Sequence, residues 1–472
     1  MTTTTTERRR TTSVSGPRLT LGLCIGITAV AFEALAVATA MPRAAEDLGA
    51  KEWYAWAFST FQAAMLFATV ASGRLCDRLG PSRPMALGFL VFLVGLLVAG
   101  VAPVMPVLII GRGVQGLGAG LFSVSLYVIL AQAYTAAERP KVFTWISTAW
   151  VLPGFIGPAV AGWLTERLSW HWVFFSVIPF LILAAALLGP LLIKLEQLRV
   201  AELERPTSEA SDDQGAADQG EEAPPAPIWA AGALAVAVPV LQFAVQRPAW
   251  WSIPLAVLGL ALLVVGLPRV MPRGFFRFAR GLAPVIGVRG LIGGTFFTAE
   301  AFTVLMLTDL YALPPSVAGL MLTVGTIGWT TGSFIQARWH LRRDQLMTLG
   351  TIGLATGVTG VALIAWLHAP YPLVALVWAI AALGMGTAFS STSLAVMTLS
   401  APREQGRNAS SLQLGEALTA SLTSALVGGL YAFLLRGDPA DHTAVFGPLL
   451  TTVAVLGVLS VVVSRRVGPV AH

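Results

Sequence analysis

Long apolar runs recur along the chain, and each is about the length needed to cross a bilayer. A membrane-spanning helix needs roughly 20 mostly apolar residues. Six runs precede a polar stretch, at 18–42, 53–75, 84–103, 105–132, 140–164 and 171–193. Eight more follow it, at 228–246, 250–268, 286–309, 315–337, 346–367, 371–397, 409–434 and 444–463. The sequence therefore predicts an all-α integral membrane protein with fourteen spans.

The distribution of basic residues predicts the orientation of these spans. Charged residues make up only 11% of the chain, against roughly 25% in a soluble domain. With the N-terminus inside the cell, 24 of the 30 Lys and Arg residues fall in cytoplasmic segments, five fall outside and Arg112 lies within a span. Cytoplasmic loops of membrane proteins carry such an excess. We therefore expect cytoplasmic termini and a place in the cell membrane, and not nucleic-acid binding.

The spans divide the chain into bundles and connecting segments. The first half of the chain is predicted to contain a cytoplasmic tail (1–17), a six-helix bundle (18–193) and a disordered linker (194–227). Two inserted transmembrane helices (228–268) and a basic-aromatic cytoplasmic segment (269–285) follow. A second six-helix bundle (286–464) and a second cytoplasmic tail (465–472) complete the prediction. The linker is rich in Glu, Asp, Pro and Ser, which is typical of disorder. The run at 271–280, MPRGFFRFAR, suits contact with anionic lipids; an ordinary cytoplasmic loop is the alternative.

Three pairs of short motifs recur at nearly one offset. Glu33-Ala34 matches Glu300-Ala301, and Ala161-Gly162 matches Gly428-Gly429, each 267 residues later. Gly118-Ala119-Gly120 matches Gly384-Met385-Gly386 at an offset of 266. All three pairs fall in equivalent spans, which indicates two bundles related by an internal repeat in the same orientation.

The turn between the second and third spans carries the first family resemblance. It reads Gly73-Arg74-Leu75-Cys76-Asp77-Arg78-Leu79-Gly80-Pro81-Ser82-Arg83. This resembles the loop signature G-x-L-a-D-r-x-G-r-k of the major facilitator superfamily, with Pro81 and Ser82 in place of the usual basic pair. The resemblance implies a charged latch that closes the cytoplasmic side, formed by Gly73, Asp77, Arg78, Gly80 and Arg83.

Two further spans carry signatures of the same superfamily. Arg112-Gly113-Val114-Gln115-Gly116 resembles R-x-x-q-G. An arginine at membrane depth is costly unless it faces water or a partner, so Arg112 is expected to face a central cavity; snorkelling to the membrane surface is the alternative. The run from Pro153 to Gly162 resembles G-x-x-x-G-P-x-x-G-G, which is associated with exporters that work by antiport. Its key residues here are Pro153, Gly157, Pro158 and Gly162.

The first span narrows the resemblance. Its segment from Phe32-Glu33-Ala34 to Ala40-Met41-Pro42 is similar to the L-D-x-T-I-V-N-V-A-L-P segment of the fourteen-span drug:proton antiporters, with Glu33 at the position of the aspartate. The resemblance implies the major facilitator fold, with two six-helix bundles and two inserted helices.

The acidic residues within spans are candidates for proton coupling. They are Glu33, Glu300 and Glu416. Burial disfavours the charged form of a carboxylate, and a nearby arginine favours it. We therefore expect Glu33, set by Arg112, to exchange a proton, with Glu300 as its counterpart in the second bundle. Glu416 is either a second proton site or a lock to an opposing arginine, and a structural hydrogen bond is the alternative for all three.

Aromatic and amide side chains are candidates for the wall of a substrate cavity. They are Phe61, Gln62, Gln115, Tyr127, Trp145, Trp150 and Trp378. Such a wall suits amphipathic or cationic organic molecules, although lipid-facing or interfacial positions are the alternative for tryptophan.

Together these features predict a monomeric secondary transporter that exports drugs or other hydrophobic small molecules in exchange for protons. Export of a lipid or secondary metabolite is a close alternative, and a metabolite importer or a non-transporting scaffold is disfavoured. The sequence has no P-loop, metal-ligand cluster or nucleophile motif, so we expect neither an enzyme nor a bound metal or cofactor.

Overall fold

The protein is a bundle of long α-helices. The structure, a computed structural model, describes residues 16–134, 138–203, 227–247, 249–250, 252–271, 275, 281–339, 341–400, 405–436 and 442–470. Within these ranges there are fourteen long helices: α1 (Pro17–Asp47), α2 (Trp56–Leu79), α3 (Ser82–Gly100), α4 (Met105–Ala133), α5 (Arg139–Arg167), α6 (His171–Leu203), α7 (Ile228–Gln246), α8 (Ser252–Val270), α9 (Leu282–Asp309), α10 (Pro315–Arg338), α11 (Arg343–Leu367), α12 (Pro372–Leu399), α13 (Gln405–Leu434) and α14 (His442–Ser464).

Twelve helical stretches of the described chain are long and apolar enough to cross a membrane. A helix suits that environment because it satisfies its backbone hydrogen bonds internally. The long helices outside this set are α5 and α10, which pack against each other. Helix α10 is less apolar because serine, threonine and glycine are frequent in its sequence. The all-α membrane fold is confirmed, and the count of fourteen spans stays a prediction.

The two halves, α1–α6 and α9–α14, repeat the same packing. In the first half, α1 packs on α5 and α6, α4 packs on α2 and α3, and α3 packs on α6. In the second half, the helices whose numbers are higher by eight form the same pairs, so that α9, for example, packs on α13 and α14. The matched glycines explain part of this repeat. A Cβ at Gly118 or Gly120 would collide with the backbone of α3 or α2, and a Cβ at Gly384 or Gly386 would collide with that of α11 or α10. These glycines therefore allow the same close approach in each half.

Among the described residues, several hydrogen bonds join the halves toward one end of the bundle, which we call the Lys51 end. There Lys51 pairs with Asp309 at 3.1 Å, and the Tyr54 hydroxyl donates to the carbonyl of Ala301 at 2.7 Å. Ser421 of α13 donates to the carbonyl of Ser59 at 3.0 Å. The opposite end carries the turn at Gly80. The structure is thus closed at the Lys51 end.

The seam between α5 and α10 contains the segment that resembles the antiporter signature. Gly162 lies directly against the backbone of Ser316, and Gly319 lies against the carbonyl of Pro158. Glu166 accepts a hydrogen bond from the backbone N–H of Ser316 at 2.6 Å. Pro153 and Pro158 both lie inside α5, and Gly157 faces α1 instead of the seam, with Phe32 3.7 Å from a Cβ built there.

Helix α6 extends beyond the boundary expected from the sequence. The predicted linker begins at residue 194, whereas the helix continues to Leu203. Two contacts explain the extra turns: Glu196 pairs with Arg83 at 2.9 Å, and Arg199 donates to the carbonyl of Arg78 at 2.7 Å. The start of the linker is corrected accordingly. Its residues 204–226, and most of the basic-aromatic run at 271–280, lie outside the described residues.

We predict that Gly162→Leu shifts the protein toward a state open at the Lys51 end. A leucine at 162 needs space that the Ser316 backbone occupies only while this end is closed. Overpacking costs about 1–3 kcal/mol, so labelling of a cysteine at buried Ala55 by a hydrophilic maleimide should become about fivefold faster or more. The background would lack the native cysteines, Cys24 and Cys76.

Gly189→Leu is the matched control for this variant. A Cβ at Gly189 meets no heavy atom within 4 Å, so this leucine should leave the labelling rate unchanged. Equal labelling rates in the two leucine variants would contradict the role assigned to the α5–α10 seam.

Candidate functional site

A buried ion pair joins α1 to α4 in the first half. The guanidinium of Arg112 donates through Nη1 to Glu33, and both side chains are buried, at 3% and 0% exposure. Arg112 also donates to Gln115 Oε1 at 2.8 Å and to the carbonyl of Ala57 at 3.1 Å. Its guanidinium lies over the ring of Phe61, 4.4 Å from the centroid. Arg112 therefore points into the bundle and not to the membrane surface.

The pair retains unused hydrogen-bonding capacity. Glu33 Oε2 and Gln115 Nε2 are buried and have no hydrogen-bond partner in the described part of the chain. A buried acceptor without a partner is costly, and a proton on Oε2 turns that acceptor into a donor. A proton on Oε2 would therefore displace no hydrogen bond of the described network.

A second, partly buried ion pair joins α9 to α13. Arg289 Nε donates to Glu416 Oε2 at 2.7 Å, and Nη1 donates to the carbonyl of Phe389 at 3.0 Å and to Ser393 at 3.1 Å. The guanidinium also lies over the Phe389 ring, 3.1 Å from its centroid. The opposing arginine considered for Glu416 is thus Arg289.

Arg289 corrects the charge assignment made from the sequence. It was counted among the basic residues of the cytoplasmic segments, but it is only 6% exposed and lies inside α9. Its position within the apolar run 286–309 is the sequence feature that indicates a place inside a helix. The excess of basic residues on the predicted cytoplasmic side persists without it.

Glu300 is the repeat counterpart of Glu33, but its surroundings differ. It is 8% exposed and forms no ion pair or hydrogen bond within the described residues. The offset of 266 that relates α4 to α12 places Trp378 at the position of Arg112. Trp378 is buried and stacks on Phe296 with ring centroids 4.8 Å apart. The second half therefore has the carboxylate without the arginine.

The residues predicted to line a substrate cavity separate into distinct environments. Phe61 and Gln115 are buried around Arg112, Gln62 is half-buried, and Tyr127 and Trp145 are exposed. Tyr127 lies within electrostatic range of Arg289 and Glu416 in the other half. Trp378 belongs to the core and not to a cavity wall. The side chain of Trp150 lies outside the described set.

In the turn that resembles the family's latch, Asp77, Arg78 and Arg83 form no ion pair or hydrogen bond with the described residues of the second half. Gly80 has a φ of +78°, which favours glycine. Arg78 and Arg83 contact α6 of the same half. Asp77 is exposed and forms no ion pair or hydrogen bond with the described residues. A Cβ added at Gly73 would have no heavy atom within 4 Å among the described neighbours.

The fold defines a multi-pass membrane protein with two like halves and buried charges between its helices. The family model for the Major Facilitator Superfamily matches residues 21–424. The chain belongs to this superfamily, so it is a membrane transporter of small molecules and not an enzyme.

Curated relatives include drug-efflux proteins. The chain is 26% identical to Multidrug resistance protein 3 of Bacillus subtilis (strain 168) over 423 residues, covering 85% of this chain and 76% of that protein. It is 23% identical to a probable multidrug-efflux transporter of Mycobacterium tuberculosis (strain CDC 1551 / Oshkosh), covering 92% of each.

Solved structures share the whole fold. A crystal structure of a peptide transporter, POT, in complex with sulfate matches with a TM-score of 0.68 at 16% identity and covers 98% of each chain. Because this coverage leaves so little of the chain unmatched, the shared fold includes α7 and α8.

We predict that Arg112→Leu destabilises the protein and that adding Glu33→Leu restores most of the loss. Removing one partner of a buried ion pair leaves an uncompensated charge at a cost of about 3–5 kcal/mol, whereas replacing both with apolar groups is often neutral. The measurement is thermal unfolding of the four proteins of the double-mutant cycle in detergent.

The loss in Arg112→Leu should shrink as the pH falls, because protonation neutralises the orphaned Glu33 carboxylate. A double variant less stable than Arg112→Leu would contradict the assignment of a direct ion pair.

Proposed function

We propose that the protein exports hydrophobic or amphipathic small molecules in exchange for protons, by alternating access of a central cavity. The observation that carries the proposal is the pair of repeat-related carboxylates buried in α1 and α9, Glu33 with an arginine and Glu300 without one. Charged groups inside a membrane protein are costly and mark ion or proton pathways.

The predicted orientation gives this arrangement a direction. The excess of basic residues predicts that the Gly80 end lies in the cytoplasm and the Lys51 end outside. A structure closed at the Lys51 end then corresponds to an inward-facing state, in which substrate enters from the cytoplasm or the inner leaflet. The names of the two relatives, a multidrug resistance protein and a probable multidrug-efflux transporter, support export.

Glu300 is the group best suited to carry the exchanged proton. A buried carboxylate without a cation is stable mainly in its protonated form, because an unpaired charge in an apolar site costs several kcal/mol. Glu300 would arrive in the inward-facing state with a proton taken from outside. Hydration of the cavity and the entry of substrate would then release the proton to the cytoplasm.

Glu33 and Arg112 would couple that exchange to the conformation of the first half. Arg112 ties α1, through Glu33, to the carbonyl of Ala57 in α2. Protonation of Glu33 removes the charge that Arg112 compensates and so loosens this link. Only a difference between the two states in such contacts can shift their populations.

The pair Arg289–Glu416 would serve as a lock within the second half, since it holds α9, α12 and α13 together. Tyr127, on the facing wall, is the group of the first half that would approach this pair when the Gly80 end closes. The pair and Glu300 are separate sites in this proposal.

We predict that Glu300→Gln abolishes proton-coupled export. The test uses liposomes that contain the purified protein and a pH-sensitive dye, with an imposed proton gradient and a panel of lipophilic cations and neutral drugs. Wild type should show substrate-dependent proton flux, and Glu300→Gln should lose at least about nine-tenths of it, because glutamine cannot exchange the proton. Glu33→Gln should also reduce the flux.

Glu46→Gln is the matched control, because Glu46 is an exposed carboxylate on the same helix as Glu33. Full flux in both Glu33→Gln and Glu300→Gln would contradict the proposed mechanism. No flux with any compound in wild type would favour the alternative of a dedicated lipid or secondary-metabolite exporter, which a lipid panel would then test. Flux with the opposite direction of substrate movement would favour a metabolite importer.

A further inference from the structure

The inserted helix α7 carries two buried glutamines on an otherwise apolar surface. Gln242 is 1% exposed and Gln246 is 6% exposed. A helix that only connected two halves through lipid would have no need for them, because a buried amide is costly without partners. Their partners therefore indicate what α7 is built to hold.

Both glutamine side chains bond to the first half. Ser59 of α2 donates to Gln242 Oε1 at 2.5 Å, and the indole N–H of Trp56 donates to Gln246 Oε1 at 2.6 Å. Gln246 Nε2 donates to the carbonyl of Glu52 at 3.3 Å. These bonds fix α7 to the first turn of α2 and to the 3-10 turn that precedes it.

The contact of α7 with the second half is different in kind. Gly428 and Gly429 of α13 present no side chain, and a Cβ at Gly429 would lie 2.6 Å from Val245 Cγ1. Gln242 Nε2 lies 3.5 Å from a Cβ built at Gly428 and has no hydrogen-bond partner in the described chain. Arg436 donates to the backbone carbonyl of Gln246 at 2.5 Å. The surface of α13 that faces α7 therefore consists mainly of glycine backbone, and it contacts α7 mostly by packing.

The repeat relates this surface to the seam between α5 and α10. Gly428-Gly429 is the counterpart of Ala161-Gly162, and Gly162 packs against Ser316. The pairs α5–α10 and α13–α2 are equivalent contacts between the halves. At the second seam, however, Gly428 lies against Ala55 and Gly429 lies against α7.

We propose that α7 is part of the gate at the Lys51 end and moves with the first half, with Gln242 and Gln246 as the residues that position it. This inference rests on the alternating access of the proposed function. When the Lys51 end opens, the glycine face of α13 separates from Ala55 and α7 together, while the bonds from α7 to α2 persist. Helix α7 then forms one side of a contact between the halves that opens and closes during transport.

The test measures distances between spin labels at the Lys51 end by pulsed electron paramagnetic resonance. Labels are placed at Arg247 after α7, Leu168 after α5 and Leu367 at the end of α11, all of which are exposed. Pairs of labels are introduced into a chain with Cys24→Ser and Cys76→Ser, in lipid nanodiscs. Distances are compared between acidic and alkaline buffer, and with Gly162→Leu added to favour opening.

The expected result is that the distances 168–367 and 247–367 lengthen together while 247–168 keeps one narrow distribution. A change in 247–168 with 247–367 fixed would show that α7 moves with the second half and would overturn the inference. Changes in both the 247–168 and the 247–367 distances would show that α7 and α8 move independently of either half, and this result would also overturn the inference. A fixed 168–367 distance under every condition would contradict alternating access itself, and the inference with it.

We further predict that Gln242→Leu combined with Gln246→Leu broadens the 247–168 distribution and lowers the maximal export rate severalfold, with little change in KM. The reason is that loss of the bonds to α2 frees α7 without altering the cavity. Gln336→Leu is the control, since Gln336 is a buried amide of α10, 3% exposed, that does not contact α7. A 247–168 distribution as narrow as that of wild type would exclude the two glutamines as positioning residues.

Discussion

The ion pair between Arg112 and Glu33 is the interaction on which the first half depends. Neither residue is tolerable alone at that depth, because an uncompensated charge in a low-dielectric interior costs several kcal/mol. Together they connect α1 and α4, and through the carbonyl of Ala57 they also connect α2. Three helices around the central axis thus share one charge-compensated centre. Any event that changes the charge of Glu33 changes the contacts of all three.

The second half keeps the scaffold and changes the charges. Its helices pack in the same order, and its glycines occupy the same close contacts. However, Trp378 stands where the first half has Arg112, and the aromatic stack on Phe296 takes the place of the ion pair. The buried arginine in the described part of this half is Arg289, which lies on a different helix and pairs with Glu416. Duplication of the fold without duplication of the charges gives two carboxylates in unlike environments, Glu33 beside an arginine and Glu300 without one in the described part of the chain.

Apolar length and the positions of glycine made most of the fold predictable from the sequence. Runs of about 20 apolar residues fixed the helices, and the matched glycines fixed the repeat. The carboxylates were found because acidic residues are rare in such runs. The sequence did not reveal the partner of Glu416, since Arg289 lies near the end of an apolar run and resembles a flanking loop residue. It also did not reveal the extension of α6 to Leu203, which depends on Arg83 and Arg78, far away in the chain. Pairings between distant residues depend on packing that no local pattern encodes.

The seams between the halves are built for contacts that can be broken and remade. Within each half, side chains cross between helices, and one such contact is an ion pair with a buried arginine. Between the halves, Gly162 contacts the backbone of Ser316 and Gly428 contacts the methyl group of Ala55. The hydrogen bonds described there mostly use a backbone carbonyl or N–H as one partner. Such bonds are replaced by water when the seam opens, at little net cost. The pair Lys51–Asp309 is partly exposed to solvent, which screens the attraction between its charges. Rigid halves joined by weak, smooth seams allow one end of the bundle to open while the buried charges remain shielded within their own half.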